Sequence, residues 1–184
     1  MSGPSATVAI GGLLEEYERA LDHTEHLWSD LSVAEVHWRP HERSSGIGWH
    51  LGHQAAVAHF MIRNLTAAEG LIDPPLDSLM DSATPEPDRG DLPSLDRLRS
   101  YREAVADRVR VGIGDIVAGD VGAPEQLAIV AVAVLTAIVN HEYQHDQWIA
   151  EVRRGSLGRP LPPRPTSPRL TTADGYVVLA PTWR

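Results

Sequence analysis

Apolar residues return at helical spacing in four separate stretches of the 184-residue chain. In the first, from about Ala6 to Leu31, one face collects Val8, Leu13, Leu14, Tyr17, Leu21, Leu27, Trp28 and Leu31, while "EEYER" falls largely on the solvent side. The second runs from about Ile47 to Ala68, with Ile47, His50, His53, Val57, Phe60, Met61 and Leu65 near one face and Ser44 and Ser45 placed to cap it. The third starts near Pro93 behind Asp91 as N-cap. Its stripe is Leu95, Leu98, Tyr101, Val105, Val109 and Ile113, with Arg and Asp toward water, and "GDIVAGDVGAPEQ" breaks it. The fourth runs from Pro124 to Arg154, with Pro in its first turn, Arg153 and Arg154 in its last and Gly155 just beyond. Its first half, "LAIVAVAVLTAIV", is apolar all round, which predicts the central, most buried helix.

The connections read differently. Ser32 and Glu35 have the spacing of a capping box for one short turn before Pro40. The segment "EGLIDPPLDSLMDSATPEPDRGD" is rich in Pro, Asp and Ser, which predicts a long irregular loop placed to cover a site. Past Gly155 the chain turns Pro-rich, and Asp174-Gly175 predicts a small hairpin. The sum is an all-α four-helix bundle, about residues 6–155, with one long crossover between helices two and three and an irregular tail over 156–184, all in one domain.

Charge and composition narrow the function. A net charge of -9 without a basic cluster argues against a nucleic-acid partner. The absence of cysteine excludes a disulfide framework, a thiolate metal site and a cysteine nucleophile. Any metal must sit on His, Asp or Glu, and any thiol chemistry must use an external thiol. The N-terminus has no signal-peptide pattern, and the thirteen residues Leu127 to Val139 fall short of the roughly 20 a membrane span needs. The expectation is a cytoplasmic protein with no membrane partner.

Nine histidines demand an explanation. His141 and His145, in "NHEYQHDQW", stand four apart where the apolar helix turns polar, so they share a helix face one turn apart. His50 and His53 stand three apart on helix two. Two imidazoles hold a metal weakly, and in a bundle one member of the second pair can complete a three-histidine site with open positions. Of the remaining histidines, His23 and His26 are expected partly exposed on helix one, and His37, His41 and His59 structural or at the surface. Trp49, Trp148 and Tyr143 are expected to pack, and "GRPLPPRP" to be a solvated linker.

The segments "RPHERSSGIGWHLGHQAAVAHFMIRNL" and "VNHEYQHDQW" resemble the DinB-like four-helix metalloprotein superfamily, over about Leu13 to Arg154. That superfamily includes bacillithiol and mycothiol S-transferases, thiol-dependent isomerases and the N-terminal domain of ergothioneine-type sulfoxide synthases. The resemblance implies a divalent metal, with Zn, Ni and Fe all suited to the nitrogen set, on His53, His141 and His145. The sulfoxide-synthase branch carries HxxxHxE, and here Gln147 stands at the Glu position. No counterpart of the large second domain of those synthases is present in this sequence. Both departures point toward a thiol-handling enzyme: a transferase moving a mycothiol-type small thiol onto an electrophilic small molecule. His50 is then the candidate proton carrier beside the metal. The alternatives are a metallohydrolase or isomerase at the same site, or a non-enzymatic metal-binding stress-response bundle. Relatives of this fold often pair, so a homodimer is expected.

Overall fold

The computed structural model describes residues 6–67, 70–84, 88–89 and 91–180. Helix α1 spans Ala6–Trp28, α2 Val33–His37, α3 Ile47–Thr66, α4 Pro74–Leu79, α5 Leu95–Ala118 and α6 Pro124–Glu151. A π-helical turn, Val152–Ser156, extends α6, and strands β1 (Leu170–Ala173) and β2 (Tyr176–Leu179) close the described chain. The four long helices form the expected all-α bundle. Helix α6 packs along α1 and α3, α3 packs along α5, and β2 lies on α6.

The main core joins all four helices through Ile10, Tyr17, Ile62, Leu98, Val109, Leu135 and Ile138. A second cluster at one end gathers Leu27, Trp28, Val36, Ile47, Leu51 and Ile149. Each such side chain contributes roughly 1.5–3 kcal/mol by leaving water.

Local chemistry explains the boundaries. Helix α1 stops at Trp28, short of the expected Leu31, while Val8 is exposed and Glu16 in "EEYER" is buried, accepting from Ser167 Oγ at 2.7 Å. The capping box of α2 is present, with the Ser32 hydroxyl and Glu35 carboxylate each accepting a backbone N–H. Helix α3 is entered through Gly46 and not through a serine cap. It ends at Thr66, with Ala67 left-handed behind it, and the expected last residue, Ala68, lies outside the described residues. The expected long loop is not structureless. Asp73 caps α4 by accepting from Leu76 N, and two prolines start that helix, where the missing N–H costs nothing. Helix α5 begins at Leu95 behind Ser94, two residues past the expected start, and runs through the expected break to Gly119, whose φ of 83° suits glycine.

Two expectations for α6 need correction. It is not buried all round: Ile129 is 68% exposed and Val130 48%, so part of its apolar first half faces solvent. Taken with its flanks, Pro124–Ser156 is also long and apolar enough by composition to cross a membrane. Its contacts with α1 and α3, and its buried Glu142, His145 and Asp146, make it a core helix of the bundle.

The tail is strapped down and not solvated throughout. Arg153, buried in the π-turn, donates to Leu27 O, Pro160 O and the Asp30 carboxylate, and Arg159 pairs with Glu35. The predicted hairpin forms with Asp174 and Gly175 at positive φ, and Leu179 N donates to Asn140 Oδ1 at 2.8 Å.

Candidate metal centre

Helix α3 brings His50 and His53, and α6 brings His141 and His145, to one place. One nitrogen from each of His53, His141 and His145 lies within 4.8 Å of the others. The ring centroids are 5.2 Å apart for His53 and His141, 4.9 Å for His53 and His145, and 4.5 Å for His141 and His145. Three imidazoles around one point is an arrangement that can hold a metal ion.

Hydrogen bonds select which nitrogens are free. His53 Nδ1 lies 2.6 Å from Met80 O. A carbonyl only accepts, so Nδ1 carries the hydrogen and the Nε2 lone pair is left for a ligand. Met80 reaches this position because Gly52 has no side chain: a Cβ there would stand 2.4 Å from Met80 Sδ. His145 Nδ1 lies 2.9 Å from His50 Nδ1. His145 offers a free Nε2 lone pair only in the tautomer whose Nδ1–H donates to His50. His50, the expected proton carrier, thus meets the centre through the back of His145.

Electrostatics keep the rings neutral. Burial lowers His50 to about 3 and His141 to about 4, in each case aided by the nearby His53. Burial lowers His145 further still, with repulsion from His141, His50 and His53 added, and burial also lowers His53. Neutral imidazole is the ligating form, so the donor set fits a divalent cation at neutral pH. Trp49 stacks on His53 at 4.5 Å and Trp148 stands edge-on to His145 at 4.6 Å, so both pack against the site as expected. A cleft of about 680 Å³, lined by His53, Phe60, Met61, Arg63, Asp77 and Met80, meets the cluster at His53. That volume suits a small organic molecule.

Behind the histidines lies a buried polar network that the sequence reading missed. Arg102 of α5 donates to Glu142 Oε1 at 2.6 Å, to Leu51 O at 2.7 Å and to Gln54 Oε1 at 3.1 Å. Gln54 Nε2 donates to Glu142 O at 2.9 Å and to Asp146 Oδ1 at 3.0 Å. Thr24 Oγ1 of α1 lies 2.8 Å from both Glu142 Oε1 and Asp146 Oδ1, and 3.1 Å from Ala20 O. A hydroxyl has one hydrogen to give, so it cannot donate to all three oxygens, and the crowding is eased when one of them donates back. Asp146 can do so, since burial, then the Glu142 carboxylate, raise it well above the usual carboxylate range and favour the neutral acid. Arg102 corrects the expectation that arginines of this helix face water. The available signal was its register, one residue past Tyr101 and three before Val105 in the apolar stripe.

The other histidines stay outside the cluster. His59 is buried, bonded to Asp77 Oδ1 at 3.1 Å and to Arg108 at 2.9 Å, a structural role as expected. His26 is exposed and donates to Asp22 O. His23 lies beside Tyr143, at 6.4 Å between ring centroids.

The bundle and its convergent imidazoles define a class: helical proteins with a three-histidine cluster between facing helices. The family model of the DinB superfamily matches residues 16–149, and the chain belongs to that superfamily. No curated protein matches the sequence.

Proposed function

We propose that this protein is a metal-dependent thiol S-transferase, with His53, His141 and His145 as the metal ligands and a small electrophile in the adjoining cleft. The carrying observation is the convergence of three neutral imidazole nitrogens within 4.8 Å, beside a cleft of ligand size. A divalent ion held there, Zn, Ni or Fe, supplies Lewis acidity and lowers the pKa of a thiol or water.

The chain's own contribution is arrangement. With no cysteine in the sequence, the sulfur nucleophile arrives as a low-molecular-weight thiol, mycothiol in our reading. In the transfer the S–H proton is released, a carbon–sulfur bond forms and the bond from carbon to the leaving group breaks. Met80 O and His50 hold the tautomers of His53 and His145, and the Trp49 and Trp148 rings pack against His53 and His145. The assay is metal-dependent conjugation of mycothiol to a panel of alkylating agents, with His53→Ala and His145→Ala as controls. A conjugate that needs both metal and histidines is the expected result. No conjugate across the panel, with metal bound, would remove the transferase reading, and metal-dependent ester or amide cleavage without thiol would replace it with hydrolysis.

A further inference from the structure

The buried network and the candidate metal ligands share a sequence register. Gln54 follows His53, Glu142 follows His141 and Asp146 follows His145. Adjacent residues on a helix point about 100° apart, so each ligand facing the site is followed by a residue turned to the network. Within it, Gln54 bonds directly from one ligand-bearing helix to the other. Its amide donates to the backbone carbonyl of Glu142, between the two α6 ligands in sequence, and to the Asp146 side chain, while its oxygen accepts from Arg102. Arg102 also holds Leu51 O on α3 and Glu142 on α6. Gln54, Thr24, Glu142 and Asp146 are almost fully buried, so water does not compete for these bonds.

We infer that Gln54, braced by Arg102, is a positioning residue for the three-histidine centre: it locks α3 against α6 in the register that brings His53 to His141 and His145. The inference rests on the metal-centre reading above. The physical requirement is tolerance. A ligand set on two helices works only when each member is held within about 0.5 Å of its place, and a sliding contact between apolar faces does not give that precision. Directed bonds from one side chain to backbone and side-chain atoms of the opposite helix do. Thr24 supplies the contrast, because it ties the same network to α1, which carries no ligand.

The test is Co(II) titration of the full chain, read by visible d–d absorbance, with urea unfolding of the same samples. Gln54→Leu removes the three bonds of the amide at similar volume, and Thr24→Val removes the hydroxyl. Under conditions where all samples are folded, Gln54→Leu is expected to bind Co(II) about 10–100-fold more weakly, with a shifted spectrum. Thr24→Val is expected to keep the parent affinity and spectrum even where urea shows it destabilised. Gln54→Asn, one methylene shorter with the same amide, is the second variant should the leucine form not fold, and the same loss is expected. Parent-like affinity and spectrum in the folded Gln54 variant would overturn the inference while leaving the metal centre standing. Losses in both the Gln54 and Thr24 variants that simply follow their loss of stability would overturn it too, as general packing. Failure of the parent to bind Co(II) would instead bring down the metal-centre reading, and this inference with it.

Discussion

The two halves of α6 invert the usual relation between polarity and burial. The first half is apolar, yet Ile129 and Val130 stand in solvent. The second half carries Glu142, His145 and Asp146, each less than 5% exposed. Hydrophobicity tells which residues tolerate burial, but position in the bundle decides which are buried. Polar groups in the core call for partners, and here Arg102, Gln54 and Thr24 hold Glu142 and Asp146 while His50 holds His145, with Asp146 Oδ2 and Tyr143 OH left without a hydrogen-bond partner among the described residues. The apolar half needs no such partners, and its substitutions act through packing alone.

The sharpest way to break this contrast is to remove a ligand. His145→Ala and His53→Ala should each lower metal content from about one ion per chain to none, with helical content retained, as read by elemental analysis and circular dichroism. Next, Glu142→Leu should cost about 3–5 kcal/mol in urea unfolding, because it leaves the Arg102 guanidinium buried without its carboxylate. The double variant with Arg102→Met should recover part of that loss. In the apolar half, Leu135→Ala should cost about 2–5 kcal/mol, since its side chain is fully buried.

Acid offers a weaker probe, best read on metal-free protein. Burial lowers His23 to about 4, below the roughly 6.5 of an unfolded histidine. The unfolded chain therefore takes up the proton first, stability rises with pH across that window, and it is lost as pH falls from about 6.5 toward 4. Urea midpoints measured through this range should fall with acid, and His23→Gln should flatten the slope. The smallest effect belongs to Ile129→Ala, which should stay within about 0.5 kcal/mol because the side chain is already in water. A large loss there would mean that the outer face of α6 is covered in solution.

Much of this was legible in the sequence because it is local. The periodic stripes marked all four long helices, Ser32 and Glu35 marked a capping box, and Asp174-Gly175 marked a turn. The histidine spacing marked the cluster that the fold assembles, although choosing His53 over His50 leaned on resemblance. What stayed hidden depends on partners far along the chain. Arg102 reads as a solvent residue until Glu142, forty positions away, is brought to it. Met80 carries its function on a carbonyl oxygen, which every residue has. Helix α4 hid in a composition typical of loops, because Asp and Pro serve helix starts as well as turns. The open side of α6 was hidden for the same reason: no pattern within one helix says how many neighbours it will have.

The bond from Leu179 N to Asn140 Oδ1 joins the hairpin to the residue just before His141, 39 positions earlier. Arg153 and Arg159 moor the intervening strap, so the hairpin meets its seat as part of the same molecule, at an effective concentration of order mM. A nick in the strap after Arg164 would leave every helix covalently whole and yet turn the hairpin into a free peptide. Its occupancy would then depend on dilution, and Asn140, next to a candidate ligand, would lose its bond to the hairpin.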